Sequence, residues 1–111
     1  MELDPAYVES LAETVASLNG TALVYAPESR AKYSNAAIGV VGYVLESSQK
    51  ESFARYLQHA VLDPIGMQHS SFRLTPEVEK QLATGWMRTY DGRRFEAPTF
   101  LLGTGPAGNL Y

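Results

Sequence analysis

Apolar residues recur at helical spacing over most of this chain, and shift to short extended runs only near its end. Val8, Leu11, Ala12, Val15 and Leu18 fall on one face, opposite Glu9, Glu13 and Ser17, which predicts an amphipathic helix over residues 5–18. Asp4-Pro5 offers an acidic cap with proline at the first helical position, and Asn19-Gly20 a stop. Ile38, Val41, Val44 and Leu45, with Ala37 on the same side, predict a second helix over 35–47. Its Gly39 and Gly42 cost roughly 1 kcal/mol each against alanine, so close approach by another element is expected there. After a break at Ser48-Gln49-Lys50, the stripe Phe53, Leu57, Ala60 and Val61 predicts a third helix over 51–62, ended by Asp63-Pro64. Thr75-Pro76-Glu77 opens a short helix over 76–82. Asp91-Gly92 reads as the two-residue turn of a hairpin over 86–96, with both turn positions at positive φ.

The remaining stretches are connections. Residues 21–32 join the first two helices, with a short extended piece at Thr21 to Tyr25 and a turn at Ala26-Pro27-Glu28. Residues 97–111 are rich in glycine and proline and carry no regular period. The pattern therefore predicts a mainly α fold with a small β-hairpin, in one domain spanning 1–111.

Composition changes this picture mostly by exclusion. A compact chain of 111 residues would have a radius of gyration near ~13 Å. With 45% hydrophobic and 19% charged residues the chain resembles an ordinary soluble globular domain. A net charge of −3 and the lack of any Lys/Arg run argue against a nucleic-acid surface. No cysteine is present, which removes disulfides, thiol nucleophiles and cysteine metal sites. No basic and apolar leader pattern opens the sequence, and no apolar run reaches the ~20 residues that cross a bilayer.

Chemistry concentrates at Tyr33-Ser34-Asn35, where a polar connection gives way to the second helix. A helix mouth fixes side chains on a platform and leaves backbone N–H groups unpaired. The bland reading makes Tyr33 a packed aromatic and Asn35 a helix cap. Against it stands an ordered set of three segments. Tyr33 to Ser47 (YSNAAIGVVGYVLES) resembles the Y-x-N segment of the serine β-lactamase and penicillin-binding-protein-like superfamily, in the class C β-lactamase, DD-peptidase and esterase branch. Phe53-Ala54-Arg55-Tyr56 through Leu62-Asp63-Pro64-Ile65-Gly66-Met67 resembles the helix and P-L-G-M turn that follow in that branch. Gly105-Pro106-Ala107-Gly108-Asn109-Leu110-Tyr111 resembles the start of its A-G-G-L segment. The turn at Pro27-Glu28 departs mildly from the Pro-Gly-Glu common in the branch.

The resemblance implies the all-α part of a fold that also has an α/β part. It implies that Tyr33 acts as acid and base beside a nucleophilic serine, that Asn35 contacts the substrate's amide carbonyl, and that Ser34 is a spacer. A phenol titrates near ~10, so it serves as a base only where cations depress that value. The superfamily's nucleophile belongs to an S-x-x-K motif upstream of Y-x-N, and its K-T-G or H-x-G motif lies downstream; neither is found in place here. Ser29-Arg30-Ala31-Lys32 and Ser47-Ser48-Gln49-Lys50 match S-x-x-K as strings, but neither serine is predicted to open a helix. A missing α/β half would leave roughly 600–1,500 Å² of apolar surface bare, by analogy with inter-domain contacts. Self-association, as a two-fold dimer through the second helix or the glycine-rich tail, is then expected. A small-molecule substrate is expected only of a complete enzyme.

No cofactor is implied. His59 and His69 lack ligand-spaced partners, so no metal site is predicted. Trp86 and Tyr90 read as packing on one hairpin face, and Arg93-Arg94 as a solvated turn edge.

Overall fold

The computed structural model describes residues 10–99 and 104–111. Its described residues form four α-helices and one antiparallel two-stranded hairpin, joined by 3₁₀ and π-helical turns. The first helix, α1 (Leu11–Ser17), starts from a reciprocal cap: the Ser10 hydroxyl accepts the Glu13 N–H at 3.2 Å, and the Glu13 carboxylate accepts the Ser10 N–H at 2.8 Å. These bonds, the backbone one first, hold the Glu13 carboxyl below its ordinary value. Ser10 is extended and caps the helix, so α1 starts at Leu11, within the span expected from residue 5. Asp4, Pro5 and Val8 lie outside the described residues. Between Gly20 and Tyr33 the chain forms no strand, and Leu23 and Val24 stand exposed. The expected turn closes with the Ser29 N–H on the Ala26 carbonyl at 3.2 Å, and Glu28 takes φ 64 in the position that favours glycine.

The second helix, α2 (Asn35–Gln49), runs two residues past the expected end. Lys50 stops it in left-handed geometry at φ 56, its N–H on the Glu46 carbonyl at 2.8 Å. The Glu46 side chain then accepts the Phe53 N–H at 2.8 Å and fixes the start of α3 (Phe53–Leu57). A π-helical turn follows over Gln58–Leu62, with the Asp63 N–H reaching back five residues to the Gln58 carbonyl at 2.9 Å. The extra residue in that turn rotates the buried face. Leu62, at 4% exposed, is the buried apolar residue here, while Val61 and Ala60 of the expected stripe face solvent. Asp63-Pro64 does not end the run either. Asp63 stays helical, and closure comes at Gly66 (φ 81), with Gly66 N–H on the Asp63 carbonyl and Met67 N–H on the Leu62 carbonyl. This is the paired hydrogen-bond pattern of a glycine-terminated helix.

Thr75 caps α4 (Pro76–Gln81) by accepting the Val78 N–H at 3.3 Å. Strands β1 (Trp86–Arg88) and β2 (Arg94–Glu96) pair Trp86 with Glu96, Met87 with Phe95 and Arg88 with Arg94. Their turn is not the two-residue form expected, because only Gly92 has positive φ. The Gly92 N–H bonds to the Thr89 carbonyl and the Thr89 N–H to the Arg93 carbonyl, giving a three-residue loop with a glycine bulge. Arg94 stacks over the Trp86 ring at 4.5 Å, and Tyr90 projects into solvent. Trp86 and Tyr90 therefore do not pack against the rest of the chain as expected.

The organising contact is made by glycine. Gly39 and Gly42, one turn apart on α2, are buried where α1 and the 3₁₀ turn Gly105–Ala107 press on the helix. The close approach that their cost demanded is present. The larger residues of α2 lie elsewhere: Ile38, Val41 and Val44 are 48%, 64% and 59% exposed. A helix that is apolar on more than one face normally sits inside a larger body. The radius of gyration is 16.8 Å, well above the compact expectation of ~13 Å. The surface, 8885 Å², exceeds the roughly 6,000 Å² of a compact protein of this mass.

Candidate functional site

Tyr33 and Asn35 meet at the mouth of α2. The Tyr33 hydroxyl donates to Asn35 Oδ1 at 2.7 Å, and the Tyr33 residue is 86% exposed. Ser34 is the cap, not Asn35: its hydroxyl accepts the Ala37 N–H at 3.2 Å. Asn35 is thereby freed for Tyr33 and occupies the first helical position. Neither half of the bland reading survives this geometry, since the ring is not packed and the asparagine does not cap. Ser34, read from sequence as a spacer, is the residue that sets the start of the helix; a serine three residues before Ala37 at a helix mouth is the signal that could have found it.

The pair has a defined chemical capacity. With its oxygen accepting from the phenol, the Asn35 amide still has two N–H donors, the complement of a carbonyl oxygen. Beside the pair lies an open groove of about 410 Å³ whose lining includes Tyr25, Glu28, Arg30, Lys32 and Ser34. Arg30 stacks over the Tyr25 ring at 5.4 Å, and Lys32 directly precedes Tyr33 in the chain.

Neither S-x-x-K string offers a nucleophile at a helix start. The Ser29 hydroxyl donates to the Ala26 carbonyl at 2.6 Å in the connecting segment, where no helix forms. Ser47 lies in the last turn of α2 rather than in a gap between helices, and Lys50 is that helix's left-handed stop. His59 Nε2 lies 2.9 Å from Glu51 Oε1. Among the described residues no three His, Cys, Asp or Glu side chains converge on a metal-sized site, and no helix is long and apolar enough to cross a membrane.

Three kinds of similarity bear on this geometry. The family model described as Beta-lactamase matches residues 1–111. A human relative described as beta-lactamase-like 1 is 33% identical over 104 residues, covering 92% of this chain but 20% of the relative. Beta-lactamase-like protein 2 of Dictyostelium discoideum is 34% identical over 80 residues, 71% of this chain and 14% of that protein. Among solved structures, the octameric penicillin-binding protein homologue from Pyrococcus abyssi superposes with a TM-score of 0.79 at 30% identity, over 93% of this chain and 24% of that one. The chain thus spans about a fifth of the length of the human protein.

Proposed function

We propose that this chain, which belongs to the beta-lactamase family, is the central helical portion of a serine hydrolase acting on β-lactams, D-amino-acid peptides or esters. The observation that carries this reading is the exposed Tyr33 hydroxyl bonded to Asn35 at a capped helix mouth. In the assembled enzyme Tyr33, in its deprotonated form, takes the proton from the nucleophilic serine as the serine oxygen bonds to the substrate carbonyl carbon, and delivers it to the leaving group as that group's bond to the same carbon breaks. Asn35 donates to the substrate's amide carbonyl and holds it in line. The chain by itself has the acid/base and binding groups and no serine in place for them to act on. Incubated with a chromogenic cephalosporin or a p-nitrophenyl ester, the isolated chain is expected to give no turnover and no acyl adduct by mass spectrometry. Turnover abolished by Tyr33→Phe, or an adduct on Ser29 or Ser47, would sink this reading.

A second reading is favoured by the bare face of α2. Ile38, Val41 and Val44 line one side of a helix whose other side is already occupied, and the Pyrococcus homologue is an octamer. A standard protein interface needs about 800 Å² from each partner, and the surface in excess of a compact chain is several times that. Self-association through the Ile38-Val41-Val44 face, and not through the tail already seated on α2, is the expected outcome. Analytical ultracentrifugation is expected to find oligomers that Val41→Asp converts to monomers. A chain that sediments as a monomer at high concentration excludes this arrangement.

A further inference from the structure

Away from Tyr33 and Asn35, and sharing no residue with them, a groove of about 620 Å³ runs between α3 with its π turn and the segment leading into α4. Its volume falls in the range of small-molecule sites, about 300–1,000 Å³. Its walls carry Arg55, His59 and Arg73, with Glu77 as the single acid among the lining residues. Glu51 sits behind that lining and is shared: its carboxylate is 3.4 Å from Arg55 Nε and 2.9 Å from His59 Nε2. One acid therefore serves two neighbours there, and Arg55 keeps 77% of its side chain exposed. The Arg73 guanidinium has no ion pair or hydrogen bond among the described residues.

Both walls are held in place. The Phe53 and Phe72 rings meet edge to face with centroids 5.0 Å apart, tying α3 to the segment that carries Arg73. Ser71 exchanges two backbone hydrogen bonds with Tyr111, and its hydroxyl accepts the Arg73 N–H at 3.0 Å. Across the groove the π turn presents His59, braced by the edge of the Tyr56 ring at 5.5 Å. Isolated π turns concentrate at functional sites because the inserted residue re-aims side chains. Ser70 and Thr75 add hydroxyls, and Ala54 and Val78 apolar wall.

We infer that this groove binds the oxyanion of a small organic molecule, a carboxylate or a phosphate, between Arg73 and Arg55. A guanidinium fork matches either group with two parallel hydrogen bonds, and an unpaired one supplies them without breaking an existing pair. The inference does not depend on the hydrolase reading, because it uses none of that site's residues.

Equilibrium dialysis of the 111-residue chain with radiolabelled inorganic phosphate and, separately, with succinate tests it, chloride being used to hold ionic strength constant. Saturable binding of one or both is expected, and which of them binds identifies the class. Arg73→Gln is expected to weaken that binding by about tenfold or more, the loss of a charge-assisted pair. Arg73→Lys should keep part of it, and the hairpin variant Arg94→Gln should keep all of it. Circular dichroism verifies that each variant retains the fold. Equal binding by wild type and Arg73→Gln, loss of binding in Arg94→Gln, or no saturable binding of either anion overturns the proposal.

Discussion

Replacing Gly42 with alanine is expected to destabilise the chain, while the same change at Gly39, one turn away on the same helix, is expected to stabilise it. Each substitution gains roughly 1 kcal/mol of helix propensity. At Gly42 the added methyl would lie 2.2 Å from Pro106 Cγ and 3.1 Å from its Cβ, with Leu11 Cδ1 at 3.4 Å. The proline ring is fixed to its own backbone and cannot rotate aside, so the 3₁₀ turn must lift off α2 or the helix must shift. Overpacking of this kind costs about 1–3 kcal/mol, and loss of the docked tail adds to it. At Gly39 the nearest atom is Thr104 Cγ2 at 3.7 Å, an ordinary contact, so the propensity gain survives. Thermal unfolding should separate the two variants by about 2 kcal/mol or more, several degrees on either side of wild type for a domain this size. A Gly42→Ala chain as stable as wild type, with its tail still protected from proteolysis, would mean that the buried glycines do not set the packing of α1 and the tail on α2.

The two glycines also show where the sequence could be read and where it could not. Helical spacing around Gly39 and Gly42 announced α2, and their cost announced a close neighbour; both are present. Periodicity says that an apolar face exists, not which neighbour covers it, and here the small face is covered while Ile38, Val41 and Val44 are left bare. The third helix illustrates a different limit. A single inserted residue in the π turn changed which side chain is buried from Val61 to Leu62, and no composition rule marks such an insertion. At the chain's start, Ser10-x-x-Glu13 is a capping box as legible by the same rules as Asp4-Pro5, and it opens α1 at Leu11. Asp91-Gly92 located the hairpin but not its loop class, since Asp91 stays out of the left-handed region and Thr89 closes the turn instead. The position of Tyr33 and Asn35 at a helix mouth was legible for a simpler reason: it needs only the local boundary between polar connection and apolar helix. Arg73 was not legible at all, because its place on the same groove as Arg55 depends on the Phe53–Phe72 contact between distant segments.

In a protein that carries this segment together with an upstream S-x-x-K, Tyr33→Phe is expected to lower kcat/KM by about 10²–10⁴, the usual contribution of a positioned acid/base group. The hydroxyl is what matters in this comparison. Tyr33 is 86% exposed and its one bonded partner among the described residues is the neighbouring Asn35, so removing the oxygen leaves no buried polar atom unsatisfied there. Stability should change by no more than about 0.5 kcal/mol, which separates a chemical defect from a folding one. Asn35→Ala removes the donor proposed to orient the substrate and also releases the phenol from its 2.7 Å bond, so its loss should appear in KM as well as kcat. Because the two side chains share that bond, the double variant should be less impaired than the product of the single effects predicts. A Tyr33→Phe enzyme within a few-fold of wild type, or strictly multiplicative effects of the two changes, would place the acid/base function on another residue and leave the bond at the helix mouth with a structural role only.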